Sequence, residues 1–371
     1  MNYPNKEPLQ VLFIAPSEAD YLAITLFHGL RSVLGDQVVD FPKYDMAYQS
    51  FPETKRAQIY GRGFTVFYHL EEIPLHREEV EDRVRHGAYD LIVFGCIWGQ
   101  FRLFAKWRKW LSPKNTILCD GADTAQVYPH AGFWWRRPRY WLLPRATRGF
   151  LYFKREWTDE SQFGYWHRLL PRKFWQHLPC YPGLRRISFS IPEEKIASKL
   201  PPKTKDFPKH IVDGEIAALV PGSATSYAFT SEAEYYSDLQ SSRFGITTKR
   251  AGWDCLRHYE IAANGCVPCF RDLVKKPADC APHDLAPGVN CLSYSDPSDL
   301  LGQVKSLAES DYARLQLGAM EWARSKSTRV VAMEVTAQWQ QAREDMLVKR
   351  PAVGRAIKSA AKSNGTAGNL R

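Results

Sequence analysis

At 371 residues the chain is long for one compact domain and comfortable for two. Its 44% hydrophobic and 24% charged residues exclude wholesale disorder, and no apolar run reaches the roughly 18 residues of a membrane-spanning helix. A net charge of +10 admits nucleic acid, an anionic membrane surface or phosphorylated substrates. The surplus is concentrated: residues 134–175 hold ten cations and three acids, residues 349–371 hold six cations and no acid, and the remainder is slightly acidic.

In chain order, residues 11–15 read as a buried strand. Leu22, Leu26, Leu30 and Leu34 then mark one face of a helix. Residues 37–41 read as a strand, 76–86 as a charged helix and 91–97 as a two-side-buried strand. Residues 101–111 read as a helix, and 116–119 as a strand ending at Asp120-Gly121-Ala122-Asp123. Such alternation predicts a parallel sheet with helices on both faces. Residues 192–212 form a Pro-rich linker. A second alternating unit follows, with strands expected at 216–220, 243–247, 266–270 and 290–294. Helices are expected at 232–240, 253–263, 297–307, 309–325 and 328–347. The fold class is therefore α/β, two doubly wound Rossmann-like domains facing across a cleft. Residues 8–191 make the first and 213–327 the second, with a closing helix at 328–348 and a basic disordered tail at 349–371.

Eight cysteines are too sparse for a disulfide scaffold. The Cys266-Val-Pro-Cys269 pair follows a helix and enters a strand, the reverse of a redox motif, and reads as buried thiols. With no signal-peptide pattern in the first residues, the expected location is cytoplasmic.

The most informative segment is 242–272, a strand, a basic loop, a helix, a Gly turn and a strand. A helix N-terminus suits a pyrophosphate, and Lys249, Arg250 and Gly252 precede this one. The loop Pro221-Gly222-Ser223 after the expected first strand adds Gly222 and Ser223 to the candidate nucleotide-sugar-binding residues. Arg257 lies one turn into the helix and Glu260 three residues further on the same face, where a carboxylate can accept a ribose diol. Trp253 reads as core or as a base-stacking platform, and Arg257 with Glu260 also reads as a simple ion pair.

The run Ser242, Phe244, Gly245, Gly252, Arg257, Glu260, Gly265, Cys266 and Pro268 resembles the donor-binding motif of GT-B glycosyltransferases, in particular their group-1 and exostosin-like branches. The resemblance covers residues 215–325, and the first half in layout alone. It implies a nucleotide-diphosphate sugar as donor, a ribose on Glu260 and a diphosphate on the nearby cations. Many retaining members carry a second Glu where this chain has Gly252, which leaves the stereochemistry open. The chain has no Asp-x-Asp, the metal-binding motif of the GT-A fold, so no cofactor and no metal are expected.

In such enzymes the acceptor and the catalytic base come from the first domain. Asp20, after the first strand, and Asp123, after Cys119, are the candidate bases, with helix capping as their alternative role. Six of the twelve tryptophans (Trp134, Trp135, Trp141, Trp157, Trp166 and Trp175) interleave with cations in 134–175, and a basic helix bearing Trp107 and Trp110 precedes them. Such a face suits a glycan or glycolipid acceptor held at an anionic membrane surface. The expected function is sugar transfer from a nucleotide-sugar to a hydroxyl acceptor in surface polysaccharide or glycolipid assembly, peripheral at the inner face of the membrane. Glycosylation of modified DNA bases, or nucleic-acid binding by a degenerate transferase fold, are the rival expectations.

Overall fold

Short, uninterrupted apolar runs become strands covered on both faces. In a computed structural model, which describes residues 8–129, 145–227 and 229–348, six of them form one parallel sheet. They are β1 (Val11–Ile14), β2 (Val38–Phe41), β3 (Leu91–Phe94), β4 (Thr116–Asp120), β5 (Leu151–Lys154) and β6 (Leu184–Arg186), in the order β2-β1-β3-β4-β5-β6. Val11 pairs with both Val38 and Leu91, so the strand order reverses around β1. Ligands of such sheets bind at the carboxyl ends of the strands flanking that reversal. Helices α1 (Tyr21–Leu34), α2 (Val80–Arg85) and α3 (Ile97–Trp107) cover this sheet.

The second sheet has three parallel strands, β7 (Phe244–Thr247), β8 (Val267–Arg271) and β9 (Leu292–Tyr294), in that order. Its helices are α4 (Gly214–Leu219), α5 (Glu232–Ser241), α6 (Leu256–Ala263), α7 (Pro297–Ser306) and α8 (Glu309–Ser325). The last helix, α9 (Thr328–Val348), leaves this sheet and packs on α1 of the first domain. Gly29 is required there, because a Cβ on it would collide with the Thr328 carbonyl. The Trp339 indole N–H donates to the Lys114 carbonyl at 2.9 Å. The chain thus crosses between the domains twice, at Ile191 and at Ser327, and the crossings pair: Thr328 N donates to Ile191 O at 2.8 Å. The two parallel sheets face each other across a cleft.

Three expectations change. Residues 216–220 form helix α4 rather than a strand, because Asp213 caps it, with Oδ1 accepting from Glu215 N at 3.1 Å, and only Ile216 is buried. The edge of β7 is instead met by the 204–206 segment, with Arg243 N donating to Lys205 O at 2.9 Å and Phe244 N to Asp206 O at 2.8 Å. The charged helix near 76–86 shrinks to α2, whose buried residues are Val80 and Val84. Trp107 belongs to the core, stacked on Phe41 with ring centroids 5.9 Å apart, rather than to a basic face. Trp134, Trp135, Trp141 and the 349–371 tail lie outside the described residues. Cys266 and Cys269 are buried free thiols, and burial pushes the Cys266 thiol up to about 12.

Candidate functional site

A cavity of about 660 Å³ opens between the domains. The second domain contributes the β7–α6 loop and the first turns of α6, including Arg250, Gly252, Asp254, Arg257 and Glu260. The first domain contributes Tyr21, the 57–64 segment and Asp123.

The helix of the donor motif starts later than its sequence suggests. Cys255 is the residue before α6, and no side chain caps it. Gly252 and Trp253 belong to the loop, which tertiary contacts hold. The His258 ring bonds Thr247 Oγ1 at 2.8 Å and the Trp253 carbonyl at 3.0 Å. Burial drives its pKa down to about 3, so the ring is neutral, and since a carbonyl only accepts, Nε2 carries the proton. The amides of Trp253 and Asp254 donate to Glu156 Oε1 at 2.9 and 3.2 Å. A Cβ on Gly252 would lie 2.5 Å from Glu156 Oε1 and 2.7 Å from Asp123 Oδ1. Gly252 therefore admits a close approach, as its type suggested, but the approaching groups are carboxylates of the first domain.

Beside the loop residues 250–252, the start of α6 lines the cavity, with Asp254 and Cys255 just before it and Leu256 and Arg257 in its first turn. The Arg257 Nε is buried and has no hydrogen-bond partner among the described residues. Arg257 forms no ion pair within 4.0 Å with a described carboxylate; it attracts Glu260 at longer range and interacts with the Tyr235 side chain, and Glu260 is buried, so the two are not a surface ion pair. A guanidinium beside an uncapped helix N-terminus makes a site for an anion. Arg250 is exposed on the same wall. Lys249 is exposed off the cavity and turns back on its own loop, 5.9 Å from the Trp253 ring centre. Trp253 stacks on Phe270 at 6.2 Å and packs against the core, so it is not a platform for a base. Gly222 and Ser223 lie away from the cavity, where the Ser223 hydroxyl donates to the Ala217 carbonyl of α4 at 2.9 Å. Their expected place after a strand is lost, because that segment is a helix here.

Glu260 is buried and faces the cavity. Its Oε2 accepts from Tyr235 OH at 2.7 Å and its Oε1 from Thr65 Oγ1, a residue of the first domain, at 2.6 Å. Burial raises its pKa, against these two hydrogen bonds. Asp254 also lines the cavity. It accepts from Phe189 N and Tyr259 OH, both at 2.8 Å, and burial pushes it up to about 6 against the nearby Arg155.

Of the two candidate bases, Asp20 caps α1, with Oδ1 accepting from Ala23 N at 2.8 Å. Its carboxyl is raised by burial and sits beneath Gly121 rather than on the cavity wall, which Tyr21 reaches instead. Asp123 does line the cavity, with its carboxylate about half exposed and ion-paired to Arg155. Arg155 is 1% exposed and donates as well to Gly121 O at 2.9 Å and to Asp254 O at 2.9 Å. The structure thus brings Asp123, Arg250, Gly252, Arg257 and Glu260 to one cavity. Sequence reasoning passed over Thr65 and Asp254, whereas the strand-like run ending in Arg155 and Glu156 was expected to approach the cleft. For Asp254, its place inside the motif loop was the available signal; for Thr65 there was none.

Two parallel α/β sheets, a cleft between them and a last helix that returns to the first domain make up the GT-B fold. No protein-family model and no curated protein matches the chain. Among solved structures it is similar to Anabaena Alr3699/HepE in complex with UDP-glucose, at 11% identity over 90% of this chain and 100% of that one, with a TM-score of 0.53. The same protein with UDP, and with UDP and glucose, superposes over the same shares with TM-scores of 0.52, at 11% and 10% identity. At these identities the likeness is one of fold. Among the described residues, no cluster of three or more His, Cys, Asp or Glu is placed to hold a metal ion, and no helix is long and apolar enough to cross a membrane.

Proposed function

We propose that this chain transfers a sugar from a nucleotide-diphosphate donor to a hydroxyl acceptor. The observation that carries the reading is the buried, unpartnered Arg257 Nε beside the uncapped start of α6, one turn from the Glu260 carboxylate and on the wall of an interdomain cavity. In this reading the diphosphate rests on the α6 end with Arg250 and Arg257, and the ribose diol on Glu260. The acceptor oxygen attacks the anomeric carbon, the bond from that carbon to the diphosphate oxygen breaks, and its electron pair stays on the diphosphate. Fixed donors there stabilise the developing charge without a metal. The acceptor proton passes to Asp123, the half-exposed carboxylate on the facing wall. The UDP and UDP-glucose bound by Anabaena HepE, which shares the fold, support a nucleotide-sugar donor, and the donor motif supports the group-1 or exostosin-like branch.

The acceptor in this reading is a glycan or glycolipid at an anionic membrane. Trp166, Leu169, Leu170 and Phe174 are exposed within nine residues, among Arg168, Arg172 and Lys173, and no acid occurs from Ser161 to Pro192. Apolar side chains interleaved with cations suit a lipid headgroup layer.

Thermal shift and calorimetry with UDP, ADP, GDP and their sugar conjugates test the donor site. At least one should stabilise the protein, with or without EDTA, and Arg257→Gln should abolish that shift. Stabilisation that persists undiminished in Arg257→Gln removes the site from this cavity. Asp123→Asn should lower kcat by about 10²-fold or more while leaving donor affinity in place.

A further inference from the structure

The first domain reaches across the cleft to hold the carboxylate that the donor site needs. Ile59, Gly61, Arg62 and Phe64 form part of the cavity wall, and Thr65 follows them, fully buried. Three second-domain side chains converge on this one residue. Its hydroxyl donates to Glu260 Oε1 at 2.6 Å and accepts from Tyr236 OH at 2.8 Å, while its amide donates to Glu232 Oε1 at 2.5 Å. From its own domain, His69 Nε2 donates to the Thr65 carbonyl at 2.9 Å. The backbone here is unfavourable without such support. Arg62, Thr65 and Tyr68 have φ of 57°, 66° at Tyr68 and 77° at Thr65, the left-handed region that a β-branched residue rarely adopts.

Glu260 has two oxygens. One is satisfied within its own domain by Tyr235, and the other is satisfied across the cleft by Thr65. We propose that the Thr65 hydroxyl occupies the ribose subsite, so that the Thr65 segment and the ribose of a nucleoside diphosphate exclude one another on Glu260. The inference rests on the donor-site reading above. A donor then binds by displacing the 59–68 segment, which relaxes its left-handed residues as it leaves. Displacement also makes the vicinal diol a condition of binding. A ribose brings two hydroxyl donors to replace the one that departs, whereas a 2′-deoxyribose brings only one and gains little by the exchange. The segment is thereby a specificity element as well as a gate, selecting ribonucleotides through a competitor built into the chain.

The test is calorimetric titration of the full-length protein with UDP, ADP and GDP and their 2′-deoxy counterparts, in wild type, Thr65→Ser, Thr65→Val and Thr65→Gly. Thr65→Gly removes the hydroxyl at a φ that glycine tolerates, so it guards against misfolding of the valine variant, and melting curves check both. Both hydroxyl-free variants should bind the preferred nucleotide about tenfold more tightly and discriminate less between ribose and 2′-deoxyribose. Thr65→Ser should bind as wild type does. In wild type the same nucleotide should speed amide hydrogen exchange across residues 61–68. Unchanged or weaker binding in both hydroxyl-free variants, or slower exchange in that segment, overturns the competition and leaves the donor site standing if Arg257→Gln still abolishes binding. If no nucleotide binds wild type or any variant, the donor-site reading falls and takes this inference with it.

Discussion

Two patches fasten the first domain to the β7–α6 region, and they are built on different principles. At the hinge side, Arg155 and Glu156 directly follow β5, in regular, fully buried surroundings. Arg155 joins Gly121 O, Asp123, Glu156 and Asp254 O and lies over the Phe189 ring at 4.5 Å. At the far side, Thr65 makes a comparable number of bonds from a loop whose backbone is left-handed at several positions. The first patch is charge locked into the ends of strands, and removing either partner strands the other. The second is an uncharged hydroxyl and amide on a strained segment, donating to carboxylates of the other domain; in the proposed competition a ligand hydroxyl replaces that of Thr65. Under the proposed function, a cleft that both holds its walls in register and admits a donor has use for one fastening of each kind.

The largest expected effect breaks the hinge patch. Arg155→Ala leaves Glu156 buried without its counter-charge and frees Asp123, and should cost about 3–5 kcal/mol in denaturant unfolding. A cost near zero would mean that the two patches do not differ as described. Asp254 sharpens the same contrast through pH. Burial raises its folded-state pKa from 3.8 to about 6, so the folded protein holds a proton there that the unfolded chain releases at lower pH. The stability this group contributes is fully present below about 3.8 and is lost as pH rises through about 6. Stability measured from pH 4 to 7 should therefore carry a falling component of a few kcal/mol at most. Asp254→Asn should remove that component, and an identical pH profile in the variant would show that Asp254 is charged throughout.

Gly252→Ala tests the closeness of the hinge patch without touching a charge. The added methyl must displace both the Glu156 and the Asp123 carboxylates, and overpacking of this sort costs about 1–3 kcal/mol. A matched Gly61→Ala in the strained loop meets only the Tyr21 hydroxyl at 3.9 Å, so its cost should come from backbone conformation alone. Denaturant melts of the pair read that difference directly.

Much of this was legible in the chain because strands covered on both faces are plain apolar runs, as at β1 and β3. Glu260 and Arg257 were legible because their spacing is local to one helix. Residues 216–220 were not, since Ile-Ala-Ala-Leu-Val is too short for periodicity to separate helix from strand, and the deciding cap, Asp213, lies just outside it. The start of α6 was misplaced because the residue whose carboxylate holds the amides of Trp253 and Asp254 in a loop, Glu156, lies 97 positions before the first and 98 before the second. Thr65 was invisible for the same reason taken further: its partner Glu260 is 195 residues away, and nothing periodic surrounds it.

The smallest expected effect concerns the cations, and it decides where a diphosphate would sit. Lys249 and Arg250 are neighbours in sequence and alike in charge, yet Arg250 lines the cavity while Lys249 folds back over its own loop at the surface. If the anion binds at the α6 end, Arg250→Ala should weaken UDP, ADP or GDP binding about tenfold through loss of a charge-assisted contact. Lys249→Ala should change it less than about twofold, because an exposed charge is screened by salt. Equal losses in the two variants would place the diphosphate at the loop tip, outside the cavity. A ribose tethered there has no reason to reach Glu260, and the competition with Thr65 would lose its basis even if nucleotide binding itself were real.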